Sequence, residues 1–293
     1  MWLSIRSPSS TKLLPTMTAD LERRFGGIAR LYGSERAARI RDARVCVIGI
    51  GGVGSWTVEA LARSGVGSIT LIDLDHVAES NVNRQIHALE PDFGRAKVAA
   101  MQARIAAINP ACSATAIEEF IDEQNLAQLL GTQHDVVIDA IDNVRAKAAL
   151  AAWCRRGKQR LVMCGGAGGR TDPTRIVVDD LARTSGDALL SKVRGRLRRD
   201  YGFTREAKKK FGIVAVFSDE PAIMPRDAAC DVDMPHAEAG PQGLNCAGYG
   251  SSVCVTAAFG MVAAAEALRL IADGRAMASG VARDITARPS AAG

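Results

Sequence analysis

Val45-Cys46-Val47-Ile48-Gly49-Ile50-Gly51-Gly52-Val53-Gly54-Ser55 is the stretch that decides the fold of this chain. Its first four residues are apolar and mostly β-branched, with no polar alternation. A short run of that kind predicts a strand covered on both faces, as in a parallel sheet. The four glycines follow where the strand must turn into the helix predicted over 55–64. Glycine suits a backbone that must approach another group closely, and a helix N-terminus adds free N–H groups and partial positive charge. Strand, glycine loop and helix in that order form a phosphate-binding fingerprint, with Gly49, Gly51, Gly52 and Gly54 as candidate contacts.

The neighbouring segments extend the pattern. A helix is predicted over 20–44, interrupted at Gly33-Ser34, and strands over 69–72, 114–117, 136–139 and 161–164. Helices are predicted over 94–108, 123–130 and 144–156. This alternation predicts a doubly wound, largely parallel α/β sheet of the Rossmann-like kind. The second half is less regular, with strands predicted at 175–178 and 213–217, a basic helical segment at 191–210 and a helix at 252–272. There is no internal repeat.

In an open parallel sheet, ligands bind at the C-terminal ends of the strands. Asp73 closes the second strand, where a carboxylate can accept ribose hydroxyls, and Asp139-Ala140-Ile141-Asp142-Asn143 closes another. The glycine loop alone would suit a nicotinamide dinucleotide, but Arg84 and Lys97 follow it. A triphosphate needs such cations, because its charge must be offset while a phosphorus atom is attacked. Asp142 is placed to hold Mg²⁺ against phosphate oxygens, or else to cap the helix that starts at Val144.

Composition sets outer bounds. The 293 residues are 47% hydrophobic and 24% charged, in the globular range, which excludes disordered, collagen-like and coiled-coil chains. Only 4% are aromatic, too few for a base-stacking platform to be the main device. The seven cysteines include no C-x-x-C pair, which argues against structural zinc and fits reduced cytosolic thiols. The four histidines are not clustered as a metal triad would be. Residues 1–16 lack the apolar core of a secretory signal and read as a disordered tail, with Met17 an alternative start. The net charge of +5 is uneven: residues 191–211 carry nine basic side chains against two acidic ones. That segment reads either as a solvated helix face or as a contact for a phosphate backbone, with Arg198, Arg199 and Lys208 as candidates. An acidic loop at 218–243 contains Cys230, and residues 244–265 carry no charge, which raises a buried helix or a membrane attachment. Gly165 to Gly169 follow a strand and read as a backbone approach to substrate or as a tight turn.

Taken together, G-x-G-G-x-G at Gly49 to Gly54, Asp73 and Asp75, S-N-x-x-R-Q at Ser80 to Gln85, Gly94 to Lys97, and D-x-x-D-N at Asp139 to Asn143 resemble one family. It is the ThiF/MoeB/HesA group of ATP-dependent adenylating enzymes, related to ubiquitin-activating enzymes. Four further stretches resemble its tRNA threonylcarbamoyladenosine dehydratase branch: Arg24 to Gly33, Val47 to Trp56, Asn83 to Leu89, and Gly165 to Gly169 with Asp172-Pro173-Thr174.

The resemblance implies one adenylating domain over 17–293, acting as a homodimer. It implies that the glycines line the ATP phosphates and Asp73 binds the ribose. Asn81, Arg84 and Lys97 would hold the triphosphate, with Gln85 and Asn143 among the nucleotide contacts, and Asp142 would position Mg²⁺. The substrate would be the threonylcarbamoyl group beside the tRNA anticodon, activated as an adenylate and then cyclised with loss of water. The resemblance also implies a cysteine-desulfurase or sulfur-acceptor system as a partner. In ubiquitin activators a loop cysteine takes the activated acyl group, but this ring closure needs no thioester at Cys230.

Activation of a sulfur carrier's C-terminal glycine is the alternative within the same chemistry. Against it stand the missing C-x-x-C motifs and the missing second arginine in Arg24-Phe25-Gly26-Gly27, where sulfur-carrier activators have R-Y-x-R. An oxidoreductase would leave Arg84, Lys97 and Asp142 unexplained, and a non-catalytic RNA-binding module would not need them.

Overall fold

The computed structural model describes residues 19–131, 134–206, 208–224 and 249–274. The N-terminal tail, Cys230 and most of the acidic loop lie outside the described residues. Among the described residues seven strands form one sheet, β1 (Arg44–Ile48), β2 (Ser68–Ile72), β3 (Ser113–Ile117), β4 (Val136–Asp139), β5 (Leu161–Cys164), β6 (Ile176–Asp180) and β7 (Val214–Ser218). The order across the sheet is β3-β2-β1-β4-β5-β7-β6, parallel except for the final β6–β7 pair. The first five strands therefore reverse direction of winding between β1 and β4, the place where an open α/β sheet forms its ligand crevice.

Among the described residues eight α-helices accompany the strands: α1 (Leu21–Tyr32), α2 (Ser34–Arg41), α3 (Gly54–Arg63), α4 (Lys97–Ile108), α5 (Leu126–Leu129), α6 (Val144–Arg156), α7 (Ala188–Asp200) and α8 (Val253–Ala272). The apolar run of β1 is covered on both faces, as its sequence predicts. Val45 and Val47 pack into one core with α3, α4 and α8, and Cys46 and Ile48 into a second with α6 and α7.

Three predicted helices differ in extent, for local reasons. The helix predicted from 94 starts at Lys97, because Gly94 sits at φ +81° and residues 94–97 pair back to Val77 and Asp75 through backbone hydrogen bonds. The helix predicted over 123–130 shrinks to α5, because Asp122 and Asn125 close a turn on each other's N–H groups. The basic helix spans 188–200 rather than 191–210, and Gly202 at φ +68° lies just past its end.

α8 is long and apolar enough to cross a membrane by length and composition, yet half of its apolar window is buried. Its small residues have a packing reason. A Cβ on Gly260 would lie 2.6 Å from the Val53 carbonyl oxygen and 2.8 Å from Trp56 Cβ, and Thr57 Oγ1 donates to the Gly260 carbonyl at 3.2 Å. α8 thus braces the start of α3, directly behind the glycine loop.

Candidate active site

A cleft of about 930 Å³ opens where five parallel strands end. Its walls are the segments that leave β1 (residues 49–53), β2 (73–75), β3 (119–124), β4 (140–146) and β5 (165–168). The glycine loop is required by its own backbone. Gly49 takes φ +85°, and a Cβ there would meet the Ala140 carbonyl at 2.9 Å. A Cβ on Gly54 would sit 1.7 Å from the Gly49 carbonyl oxygen, so only glycine closes the turn into α3. On Gly52 it would lie 3.2 Å from the Arg84 side chain, so loop and cation share one surface.

Asp73 is tied to this loop. Its carboxylate accepts from the Ile50 N–H, and from the Asp75 N–H at 2.8 Å. Burial raises its pKa above the ordinary carboxylate value, against the lowering pull of Lys97 and these two N–H groups. Lys97 opens α4, is almost fully buried, and donates to Asp75 Oδ2 at 2.7 Å. Arg84 donates to the Ser80 carbonyl at 2.8 Å and to Asn83 Oδ1 at 2.9 Å, and partial burial lowers its pKa. Asn81 shapes the turn that carries Arg84: its Oδ1 accepts from Ala78 N–H, and its carbonyl from the N–H groups of Arg84 and Gln85. Gln85 lines the cleft with its buried Oε1 unpartnered among the described residues.

The structure separates the two readings of the β4 end. Asn143, not Asp142, caps α6, accepting from the N–H groups of Arg145 at 2.9 Å and Ala146 at 3.0 Å. Asp142 lines the cleft without a hydrogen bond or ion pair among the described residues. Beneath it lies a fully buried pair that the sequence did not signal. Lys147 Nζ lies 3.0 Å from Asp139 Oδ1 and donates to the Ile141 carbonyl at 2.9 Å, while the same Asp139 oxygen accepts from Ile141 N–H. Burial raises the Asp139 pKa, with Lys147 opposing the shift.

Two further walls complete the cleft: residues 119–124 after β3, which were not predicted as site residues, and Gly165 to Gly168 after β5, which the sequence left open between a backbone approach to substrate and a tight turn. Their position at strand ends was the available signal. The helix that carries the basic segment adjoins these walls through Leu189, which lines the cleft, and Tyr201, whose hydroxyl donates to Glu123 Oε1 at 3.3 Å, and its basic candidates divide. Arg198 lies over the Phe211 ring, 5.5 Å from its centre, and donates to the Thr204 carbonyl, so it is part of the packing. Arg199 is exposed and paired with Asp200 at 2.8 Å. Lys208 is exposed without an ion pair among the described residues.

Comparison with known proteins places this architecture. A tRNA threonylcarbamoyladenosine dehydratase of Escherichia coli is 50% identical over 247 residues, 84% of this chain and 92% of that protein. The solved structure of the E. coli tRNA N6-threonylcarbamoyladenosine dehydratase in complex with ATP matches with a TM-score of 0.77 and 47% identity, covering 86% of this chain and 96% of that one. A molybdopterin-synthase adenylyltransferase of E. coli is 35% identical over 135 residues, only 46% of this chain and 54% of that protein. Residues 26–284 match the ThiF family, a span that takes in the glycine loop, both cations, Asp142 and the β5 wall, and the chain belongs to that family.

Proposed function

We propose that this chain is an ATP-dependent tRNA threonylcarbamoyladenosine dehydratase. The observation that carries the proposal is the 50% identity to the E. coli dehydratase over 84% of this chain and 92% of that protein. The site chemistry agrees with it. A carboxylate oxygen of the threonyl group attacks the α-phosphorus of ATP, pyrophosphate leaves and an acyl-adenylate forms. The carbamoyl group then closes on the acyl carbon and expels AMP, so the base loses one water overall.

An anion attacking a triphosphate is opposed by charge repulsion, and Arg84 and Lys97 meet that need on the wall beside the glycine loop. Both are already held by protein acceptors, so little reorganisation is required when charge develops. Asp73, locked to the loop through Ile50 N–H, is placed for the ribose hydroxyls, and Asn81 sets the turn that presents Arg84.

Asp142 fits Mg²⁺. Its carboxylate has no protein partner among the described residues, and a hard divalent cation takes oxygen donors of this kind. When bound, the ion would offset part of the triphosphate charge. On the other flank, Arg199 and Lys208 are exposed for a tRNA backbone, while Arg198 supports them by packing. The burial of α8 supports a core role, so the protein is read as cytoplasmic beside its tRNA.

The test is mass spectrometry of nucleosides from threonylcarbamoyladenosine-bearing tRNA incubated with protein, ATP and Mg²⁺. Loss of one water from that nucleoside is the expected result. Pyrophosphate release stimulated by a small Gly-Gly-ended protein, and not by the tRNA, would overturn it in favour of sulfur-carrier activation.

A further inference from the structure

The segment that leaves β5 is built with more care than a tight turn needs. Gly166 has both of its backbone polar groups taken by buried side chains: its N–H donates to Asp187 Oδ2 at 2.8 Å, and its carbonyl accepts from Arg170 Nε at 2.9 Å. Asp187 also caps α7 through Leu190 N–H at 2.8 Å and lies 3.6 Å from Arg170. Arg170 donates onward to the Glu220 and Gly186 carbonyls. The fixed peptide at Gly166 sets where the next two residues sit.

Those two residues, Ala167 and Gly168, line the cleft, and among the described residues their N–H groups donate to no protein acceptor. Ala167 is buried. Gly168 is half-buried, and an N–H on a cleft wall without a protein acceptor is free for a group that enters the cleft. Among the described residues this wall also lacks a free cation. Arg170, the basic residue next in the chain, has its donors spent on three carbonyls. Neutral N–H donors without a cation suit a carbonyl oxygen that is uncharged in the ground state and bears negative charge only transiently.

We infer that the Ala167 and Gly168 N–H groups are the oxyanion donors for the substrate's acyl group, and that Asp187 and Arg170 are the positioning residues that hold them. This rests on the dehydratase reading. In the closure step an atom of the carbamoyl group bonds to the acyl carbon. The C=O electron pair moves onto its oxygen, where the two N–H groups meet it. The pair then returns as the carbon–phosphate-oxygen bond breaks, AMP leaves with that bond's electrons, and the carbamoyl proton passes to solvent. α7, which carries much of the basic segment, starts from the same Asp187, so the RNA flank and the acyl-binding wall are anchored at one side chain.

The experiment compares the full-length wild type with Ala167→Pro, Asp187→Ala and Asp187→Asn. ATP affinity is read by calorimetry, and kcat and KM for tRNA dehydration by nucleoside mass spectrometry. Removing one oxyanion donor typically lowers kcat about 10²- to 10³-fold, and that is the expected result for Ala167→Pro, with ATP affinity within about threefold of wild type. Asp187→Ala should lower kcat by about tenfold or more, and Asp187→Asn, which keeps an acceptor for Gly166 N–H, should recover part of that loss. A purely structural role would lower the melting temperature without this separation of kcat from ATP affinity. Wild-type kcat in Ala167→Pro, or loss of ATP affinity with kcat retained, overturns the inference. If Ala167→Pro no longer binds ATP at all, the Asp187 pair decides: equal kcat in Ala, Asn and wild type overturns it. A wild-type protein that does not dehydrate the tRNA instead overturns the dehydratase reading.

Discussion

Two walls of the cleft, the near one after β1 and the far one after β5, both depend on glycine, but each glycine makes room for a different neighbour. On the near wall, Gly54 makes room for the backbone of its own loop, with the Gly49 carbonyl 1.7 Å from where a Cβ would be. On the far wall, Gly165 makes room for a side chain from elsewhere in the chain, with Asp187 Oδ2 2.3 Å from its missing Cβ. The near wall is a local device, folded from a strand, a turn and a helix that are contiguous in sequence. The far wall is assembled from three segments, residues 165–172, 187 and 218–220. A local device tolerates a charged surface, and the near wall carries both cations. An assembled wall spends its charges internally, on holding backbone in place.

The largest test of the near wall is the buried pair below it. Lys147→Met leaves the Asp139 carboxylate buried and uncompensated. Breaking one partner of such a pair costs roughly 3–5 kcal/mol, so the urea midpoint should fall sharply. The double variant Asp139→Asn with Lys147→Met removes both charges and should recover most of the loss, because Asn can still accept from Ile141 N–H. A double variant as unstable as the single one would show that the ion pair itself, not the avoided lone charge, supports the Ala140–Asp142 turn.

Next in size is the cation. Lys97→Met should lower kcat/KM for ATP-dependent dehydration about 10²- to 10³-fold, or about 3–4 kcal/mol of barrier. Its partner Asp75 is exposed and stays hydrated when the amine is lost, so the melting temperature should hold. A variant with normal turnover would leave the near wall no more catalytic than the far one.

A third test uses pH. His87, two residues past Gln85, is buried with both ring nitrogens unpartnered among the described residues. Burial, with Lys97 and Arg104 nearby and Asp92 opposing, pushes its pKa down to about 4 from an ordinary 6.5. The folded state therefore keeps the ring neutral while the unfolded state binds a proton below pH 6.5. Stability from this residue is fully present above pH 6.5 and is lost as pH falls towards 4, by up to about 3 kcal/mol. His87→Leu should flatten that limb of the stability curve measured by urea unfolding, and an unchanged limb would assign the acid loss to other groups.

These contrasts also explain what the sequence made legible. The β1 run and its glycines are contiguous, so their spacing carried the strand, the turn and the crevice. Asp142 and Asn143 are neighbours with overlapping chemistry, and only the hydrogen bonds to Arg145 and Ala146 assign the cap to Asn143. The far wall was only half legible, open between a substrate approach and a tight turn, because its reason for glycine, Asp187, lies 22 residues from Gly165 and reads locally as a plain helix cap. The place of β7 between β5 and β6 was hidden likewise, since two strands paired antiparallel can enter a sheet in either order.

The smallest effect is expected on the basic flank, where fold and function divide within a dozen residues. Lys208 and Lys192 are exposed and carry no ion pair among the described residues. Replacing both with Glu should raise KM for tRNA several-fold. It should also reduce the salt dependence of binding by about one unit of log–log slope per lost phosphate contact. ATP affinity and melting temperature should not move. Arg198→Glu is the contrasting variant, because Arg198 covers the Phe211 ring and holds the Thr204 carbonyl. Its loss removes packing as well as charge, so it should lower the melting temperature and raise KM together. If the Lys pair left the salt slope unchanged while Arg198→Glu changed it, the RNA contact would lie with the packed arginine, and the basic residues past Gly202 would be solvated surface.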